Sequence, residues 1–298
     1  MESALNKCRS PTAGKPFIAG CNQKYKDICY ESMEEHVGRM LEEYRRSMGS
    51  VGIAVKRAYA SYVKELMRLI GEGGGHGVSG LYKIVECDPV ELVIALHDVG
   101  KCTQRYQKSL RENCTAPNHE IISAAYLYSL SLSIDKQGPS ATIPHMLAIL
   151  LHHHSRRTLK DVLGRISSIE VSGDDDACVS ECALIALEAL RGTCTSLVNS
   201  TSKYSLPRPL QYGVNGLKYM IGLIDRVVEY AEGNIAVLAY GVAVRITGVL
   251  SILDRYSASI NRSCGRLTEE DLERDVAEYL ERRRALNEAR RILESLGI

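Results

Sequence analysis

Apolar residues recur at three- and four-residue spacing along most of this chain, the period of helices that bury one face. Met33, Val37, Met40, Leu41 and Tyr44 form such a stripe and predict a helix over 31–47, with His36 on the edge of the stripe and turned inward. A second helix is predicted over 52–70, stopped by Gly71-Glu72-Gly73-Gly74-Gly75, the break in which His76 sits. A third covers 89–98, with Asp88 as N-cap and Pro89 at the first helical position, and its last turn delivers His97 and Asp98. Further helices are predicted over 119–132, over 143–155 from near Pro144, and over 177–191, capped by Asp176 and ended by Gly192. The stretches 156–176 and 193–209 read as loops. Over 213–232, Leu217, Met220, Ile221, Ile224, Val228 and Ala231 share one side, with Asp225 beside it. The Ala/Val-rich stretch 234–257 does not separate helix from hairpin by period, and helix is the expectation carried forward. Thr268 and Asp271 make a capping box for a final helix to 295, whose Arg282, Arg283, Arg284, Arg290 and Arg291 form a basic face. Neither a repeat nor strand-helix alternation is present, so the fold class expected is all-α rather than a doubly wound sheet.

Composition narrows the function classes. The 298 residues carry 37 Lys plus Arg against 36 Asp plus Glu. A formal charge of +1 excludes capture of nucleic acid by the bulk field and leaves only local patches for such contacts. With 16 Tyr, one Phe and no Trp, the core must be filled mainly by aliphatic side chains. There is no run of 18 apolar residues, and MESALNKCRSPTAGKP lacks the apolar stretch of a signal peptide, so a cytoplasmic protein without a membrane partner is expected. Residues 1–26 hold Pro and Gly without a period and read as a poorly ordered or loosely docked leader; 27–233 form the expected core, and 234–298 a helical extension packed on it. The ten Cys include no CxxC pair and read mostly as small buried hydrophobes, disulfides being unexpected in a cytosolic protein outside hyperthermophiles.

The eight His carry the chemistry. His97-Asp98 ends one helix, His119 opens the next and His152-His153-His154 ends the one after it, while His36 and Asp225 lie on separate helices. Imidazoles and carboxylates gathered from five helices suit a divalent metal, and several His favour Mn, Fe, Co, Ni or Zn over Mg alone. His145 reads as a helix-start residue, Gln107 as a partner for a backbone group and Tyr106 as core. His76 competes with His36 for the first ligand position, less well because a loop holds a ligand less rigidly.

His97-Asp98-Val99-Gly100-Lys101 followed by Tyr106-Gln107 resembles the HDxGK and (F/Y)Q signature of the HD nuclease module of CRISPR-associated helicase-nucleases. Glu34-Glu35-His36-Val37, Asn118-His119-Glu120, the His triplet and Ile224-Asp225-Arg226 follow in that family's order, over roughly 30–230. The chain departs from the pattern where Ser155 replaces the Gly after the His pair. It also lacks a GxxxxGK[ST] loop, since Ala13-Gly14-Lys15-Pro16 has neither the glycine spacing nor the hydroxyl, so the likeness is to the stand-alone, helicase-less subunit.

The resemblance implies an HD-superfamily helical bundle with its metal site at the helix ends, acting as a metal-dependent nuclease on single-stranded DNA. It further implies a separate helicase subunit and an RNA-guided surveillance complex as partners. Asp98 would bridge two ions; His36, His97 and Asp225 would hold one, and His119, His153 and His154 the other, with His152 spare. Lys101 would meet the scissile phosphate as a point charge. One or two ions, drawn from Mn, Ni, Co, Fe and Mg, are the expected cofactors. Alternatives are an HD phosphohydrolase acting on a small nucleotide and a non-catalytic, metal-stabilised CRISPR subunit.

Overall fold

Ser32 starts the first long helix, accepting from the Glu35 backbone N–H while the Glu35 carboxylate reaches back to the Ser32 N–H. That reciprocal cap orients α1 (Met33–Ser47), which buries Met33, His36, Val37, Met40, Leu41 and Tyr44. The computed structural model describes residues 17–22, 29–72, 81–134, 138–153, 159–201, 210–229 and 234–262. The expected final helix, His76, His154 and residues 1–16 lie outside them.

Ahead of α1 lie two antiparallel strands, β1 (Ile18–Asn22) and β2 (Cys29–Ser32), paired Gly20 to Glu31 and Cys21 to Tyr30 with a register shift between Ile18 and Gly20. After α1 come α2 (Gly49–Glu72), α3 (Leu81–Val85), α4 (Pro89–Leu96), a 3-10 turn over Val99–Cys102, and α5 (Gln104–Asn113). They are followed by α6 (His119–Ile134), α7 (Gly138–Leu151), α8 (Leu159–Ile166), α9 (Gly173–Glu188), α10 (Thr195–Thr201), α11 (Leu210–Glu229) and α12 (Asn234–Arg262). The fold is all-α, with the small sheet laid on one side.

One hydrophobic core runs from Phe17 to Leu253. Every residue of α4 is buried, and α7 packs against α4, α6 and α12. The 26-residue span Ile235–Ile260 of α12 has a hydropathy of 2.0, enough by length and composition to cross a membrane, but half of the window is covered by neighbouring elements. Here α12 is a core helix: Ala239, Val242, Ala243, Ile246, Val249, Leu250 and Leu253 are buried against α2, α7 and the strands.

The structure corrects several expectations. Residues 17–22 are not loosely docked: Gln107 accepts from Ile18 N at 3.1 Å and donates to Ile18 O at 2.9 Å, a pairing 89 residues apart that no local pattern reveals. Helix α7 starts at Gly138 and carries Pro144 inside it. Proline leaves the carbonyl four residues back without its helical donor; the Tyr62 hydroxyl donates to Ser140 O at 2.5 Å instead, and Tyr59 to Ala141 O at 3.2 Å. The cap of α9 is Ser172, boxed with Asp175, because Asp176 accepts from Leu210 N at 2.8 Å. Two expected loops contain α8 and α10, helices of two turns whose Val162, Ile166, Leu197 and Val198 are held by tertiary burial. Cysteines expected as small hydrophobes are cross-linked instead: Cys21–Cys114, half-buried, and Cys87–Cys194 and Cys102–Cys182, buried, are disulfides between segments 80 or more residues apart.

His145, on α7, is fully buried, edge-on to Tyr59 at 4.8 Å, with neither ring nitrogen hydrogen-bonded. Burial holds its pKa down to about 3, against an ordinary 6.5. The native ring stays neutral while the unfolded one charges, so stability is complete above pH 6.5 and is lost as pH falls toward 3. His145→Leu is expected to remove about one proton, or about 1.4 kcal/mol per pH unit, from that acid sensitivity. Denaturant titrations at pH 7, 6 and 5 check this, and an unchanged slope would contradict it.

Candidate metal centre

Three helix ends deliver imidazoles by one local device. His97 follows the last residue of α4, His152 follows the last residue of α7, and His119 opens α6. Carbonyls in the last turn of a helix, or just ahead of one, lack intrahelical donors. Each His turns Nδ1 to the carbonyl three residues back: His97 to Ile94 O at 2.9 Å, His119 to Ala116 O at 2.6 Å and His152 to Ile149 O at 2.5 Å. That places the proton on Nδ1 and aims the Nε2 lone pair inward, the orientation a metal ligand needs.

Asp98, directly after His97, is the centre of the group and fully buried. Its Oδ2 lies 3.4 Å from both His36 Nε2 and His97 Nε2, while its Oδ1 lies 2.9 Å from His119 Nε2. Two sets of atoms thus share this carboxylate: Asp98 with His119, His152 and His153, and Asp98 with His36, His97 and Asp254, the ligand atoms of each set lying within 4.8 Å of one another. His119 Nε2 and His153 Nε2 face each other at 3.1 Å, and Asp254 reaches toward His36 Nε2 at 3.7 Å and His153 Nδ1 at 4.0 Å. Asp98 Oδ1 and His152 Nε2 are sealed from water without a hydrogen bond. Because His119 keeps its proton on Nδ1, lone pairs face lone pairs across the site. Nitrogen and carboxylate donors so arranged fit a borderline divalent cation.

Electrostatics agree with that arrangement. Burial works against the charge on Asp98, but His97, Lys101 and His119 outweigh it, and its carboxyl sits well below the ordinary carboxylate range. Lys101 Nζ is 2.6 Å from Asp98 Oδ2; burial disfavours its charge, and Asp98 with Asp254 more than restores it. Burial also pushes His97 and His153 down and holds His152 at about 3, keeping all three neutral as ligands must be. His36 is shifted upward: burial opposes its charge, and the Glu31 hydrogen bond with the Glu31, Asp98 and Asp254 charges exceeds that opposition.

The structure brings together His36, His97, Asp98, Lys101, His119 and His153 of the residues singled out from sequence. Asp225 lies on α11, its side chain outside the described residues, as is His154. Two members of the group were not chosen from sequence. His152, set aside as spare, is buried in it because α7 ends at Leu151 and the next residue turns its ring back onto the helix. The other is Asp254 of α12, whose carboxylate faces His36 Nε2 at 3.7 Å beside that of Asp98. Its signal was available: Asp254 is the lone acid between 234 and 262, in the tripeptide Leu253-Asp254-Arg255 that parallels Ile224-Asp225-Arg226. An isolated carboxylate in an apolar core helix is costly unless compensated. Gln107, expected to meet a backbone group, binds Ile18 and Lys101 O, and Tyr106 is core.

Gly100 lets the turn after Asp98 press against α6. Its N–H donates to Ser123 Oγ at 2.8 Å, and a Cβ here would overlap the His119 carbonyl oxygen. Gly100→Ala must therefore part the turn from α6. A loss of about 1–3 kcal/mol in stability is expected, together with weaker metal uptake, measured by thermal denaturation and by metal content after dialysis. Wild-type values for both would show that the contact is dispensable.

No family model and no solved structure matches the chain. A segment of 138 residues is 29% identical to the CRISPR-associated endonuclease Cas3-HD of Pyrococcus furiosus, covering 45% of this chain and 52% of that protein. The chain thus spans about half the length of the curated relative it matches. In that segment, and in an all-α bundle built around a His/Asp cluster, the chain resembles the HD nuclease of the CRISPR-associated helicase-nucleases.

Proposed function

We propose that the protein is a metal-dependent phosphodiesterase that degrades single-stranded DNA in CRISPR interference, working with a separate helicase subunit and an RNA-guided surveillance complex. The observation that carries this reading is Asp98, a buried carboxylate whose two oxygens face different sets of nitrogen and carboxylate ligands. The substrate and the partners rest on the likeness to the endonuclease of Pyrococcus furiosus.

In this reading Asp98 would hold metal with His36, His97 and Asp254 on one side and with His119, His152 and His153 on the other. Divalent ions bound there supply charge relief on phosphoryl oxygens and a hydroxide nucleophile at neutral pH. The chain's own contribution is preorganisation. The backbone bonds of His97, His119 and His152 hold three imidazoles in one tautomer before any ligand arrives. Lys101 steadies Asp98 and places a positive charge where an incoming phosphate is drawn toward the cluster. His153, with a side chain 32% accessible, stands at the solvent side of its set.

Protein stripped with chelator is expected to cleave labelled single-stranded DNA only after Mn, Co, Ni, Fe or Mg is restored. Asp98→Asn is expected to lower the rate about 1,000-fold, equivalent to about 4 kcal/mol of transition-state stabilisation. Consumption of mononucleotides without DNA cleavage would replace the nuclease with a small-nucleotide phosphohydrolase; retained metal with no hydrolysis would leave a metal-stabilised scaffold. Asp254→Asn is expected to remove metal and activity, measured by metal content and DNA cleavage, and wild-type metal content would contradict the placement of Asp254 in the site; Asp225→Asn in the same assay decides whether the Asp225 suggested by the family order also binds metal.

A further inference from the structure

His36 lacks the device that orients its neighbours. It lies within the first turns of α1, and the carbonyl three residues back, Met33 O, belongs to the helical ladder. Its Nδ1 must find an acceptor elsewhere. Two groups are in reach: Glu31 Oε2 at 3.1 Å, from β2, and Ser257 Oγ at 3.0 Å, from α12. Glu31 is buried, with 4% of its side chain accessible, and its other oxygen accepts from Ser257 Oγ at 2.7 Å and from Arg39 Nη1 at 2.7 Å.

We infer that Glu31 is a positioning residue for the metal centre, holding His36 as the Nδ1–H tautomer so that the Nε2 lone pair faces Asp98 and Asp254. The inference rests on the metal reading above and deepens it. Proton counting carries the argument. The Ser257 hydroxyl proton is committed to Glu31 Oε1, so Ser257 offers His36 only a lone pair. Glu31 Oε2, once ionised, is an acceptor alone. Both groups facing Nδ1 therefore demand a proton from the ring, and at 3.0 and 3.1 Å they are nearer than the carboxylates facing Nε2, Asp98 Oδ2 at 3.4 Å and Asp254 Oδ1 at 3.7 Å, so a ring with a single proton keeps it on Nδ1 and leaves Nε2 to a ligand. A carboxamide in place of Glu31 keeps its oxygen toward the two donors, Arg39 and Ser257, and turns its NH2 toward Nδ1. The ring proton then moves to Nε2, where it blocks the lone pair. The strand that carries Glu31 is in this way part of the site, although Glu31 touches neither ion nor substrate.

The test uses the full chain, stripped of metal. Long-range proton–nitrogen correlation spectra of the imidazoles, taken at a pH where His36 carries a single proton, are expected to show it on Nδ1 in the wild type and on Nε2 in Glu31→Gln. Calorimetric titration with Mn is expected to show affinity at the His36 side about 10- to 100-fold weaker in Glu31→Gln, with Glu31→Asp recovering part of the loss, while thermal stability without metal changes little. A folded Glu31→Gln protein with wild-type tautomer and wild-type Mn affinity would overturn the inference and leave the metal reading standing. Wild-type protein that binds no Mn would overturn both. Should Glu31→Gln not fold, the wild-type spectrum decides alone, since a singly protonated His36 with its proton on Nε2 contradicts the assignment.

Discussion

A carboxylate without water is the constraint around which this molecule is arranged. Asp98 sits at zero accessibility, where an isolated charge is prohibitively unfavourable unless cations or aimed donors answer it. The Lys101 ammonium answers one oxygen, and imidazoles face both. Position matters more than composition here: α4, buried throughout, drives Asp98 into the interior, and Gly100 allows the turn after it to lie directly on α6. The same packing that buries the charge brings the ligands that suit it.

Both ends of the described chain close over this centre. Strand β2 supplies Glu31 and α12 supplies Ser251, Asp254 and Ser257, with Ser251 Oγ donating to His152 O at 3.1 Å across the end of α7. Arg39, Glu31, Ser257 and His36 form a polar chain that joins the hairpin, α1 and α12 at one point. The Cys102–Cys182 bond ties the residue after Lys101 to α9, and Cys21–Cys114 ties β1 to the end of α5. These cross-links join elements far apart in sequence that meet around the site, the arrangement in which loop closure restricts an unfolded chain most.

Much of the fold was legible because its causes are local. The apolar stripe of α1, the Asp88-Pro89 start of α4 and the alternation of helices with short breaks are properties of successive residues, and they placed His36 and His119 on their helices and His97 and Asp98 at the end of α4, just past its last turn rather than within it. What failed locally was answered from a distance. Pro144 looks like a helix start until Tyr62 supplies the donor its carbonyl partner needs, and residues 17–22 look loose until Gln107 pairs with Ile18. Helices α8 and α10 are too short to announce themselves by period, and they exist because Val162, Ile166, Leu197 and Val198 find a core to enter.

The sequence by itself determined the all-α class, the order of the His and Asp blocks and the chemistry those residue types favour, since these follow from spacing and side-chain identity. Tertiary structure decided which groups meet. Two Φ-Asp-Arg tripeptides stand on late apolar helices, and spacing cannot rank them; the packing of α12 between α2, α7 and the strands brings Asp254 within 3.7 Å of His36. Three consecutive His offer several pairs, and the end of α7 at Leu151 brings His152 and His153 into the cluster. Glu31 carried no mark in the sequence at all, because a buried carboxylate acquires its role from partners five and 226 residues away.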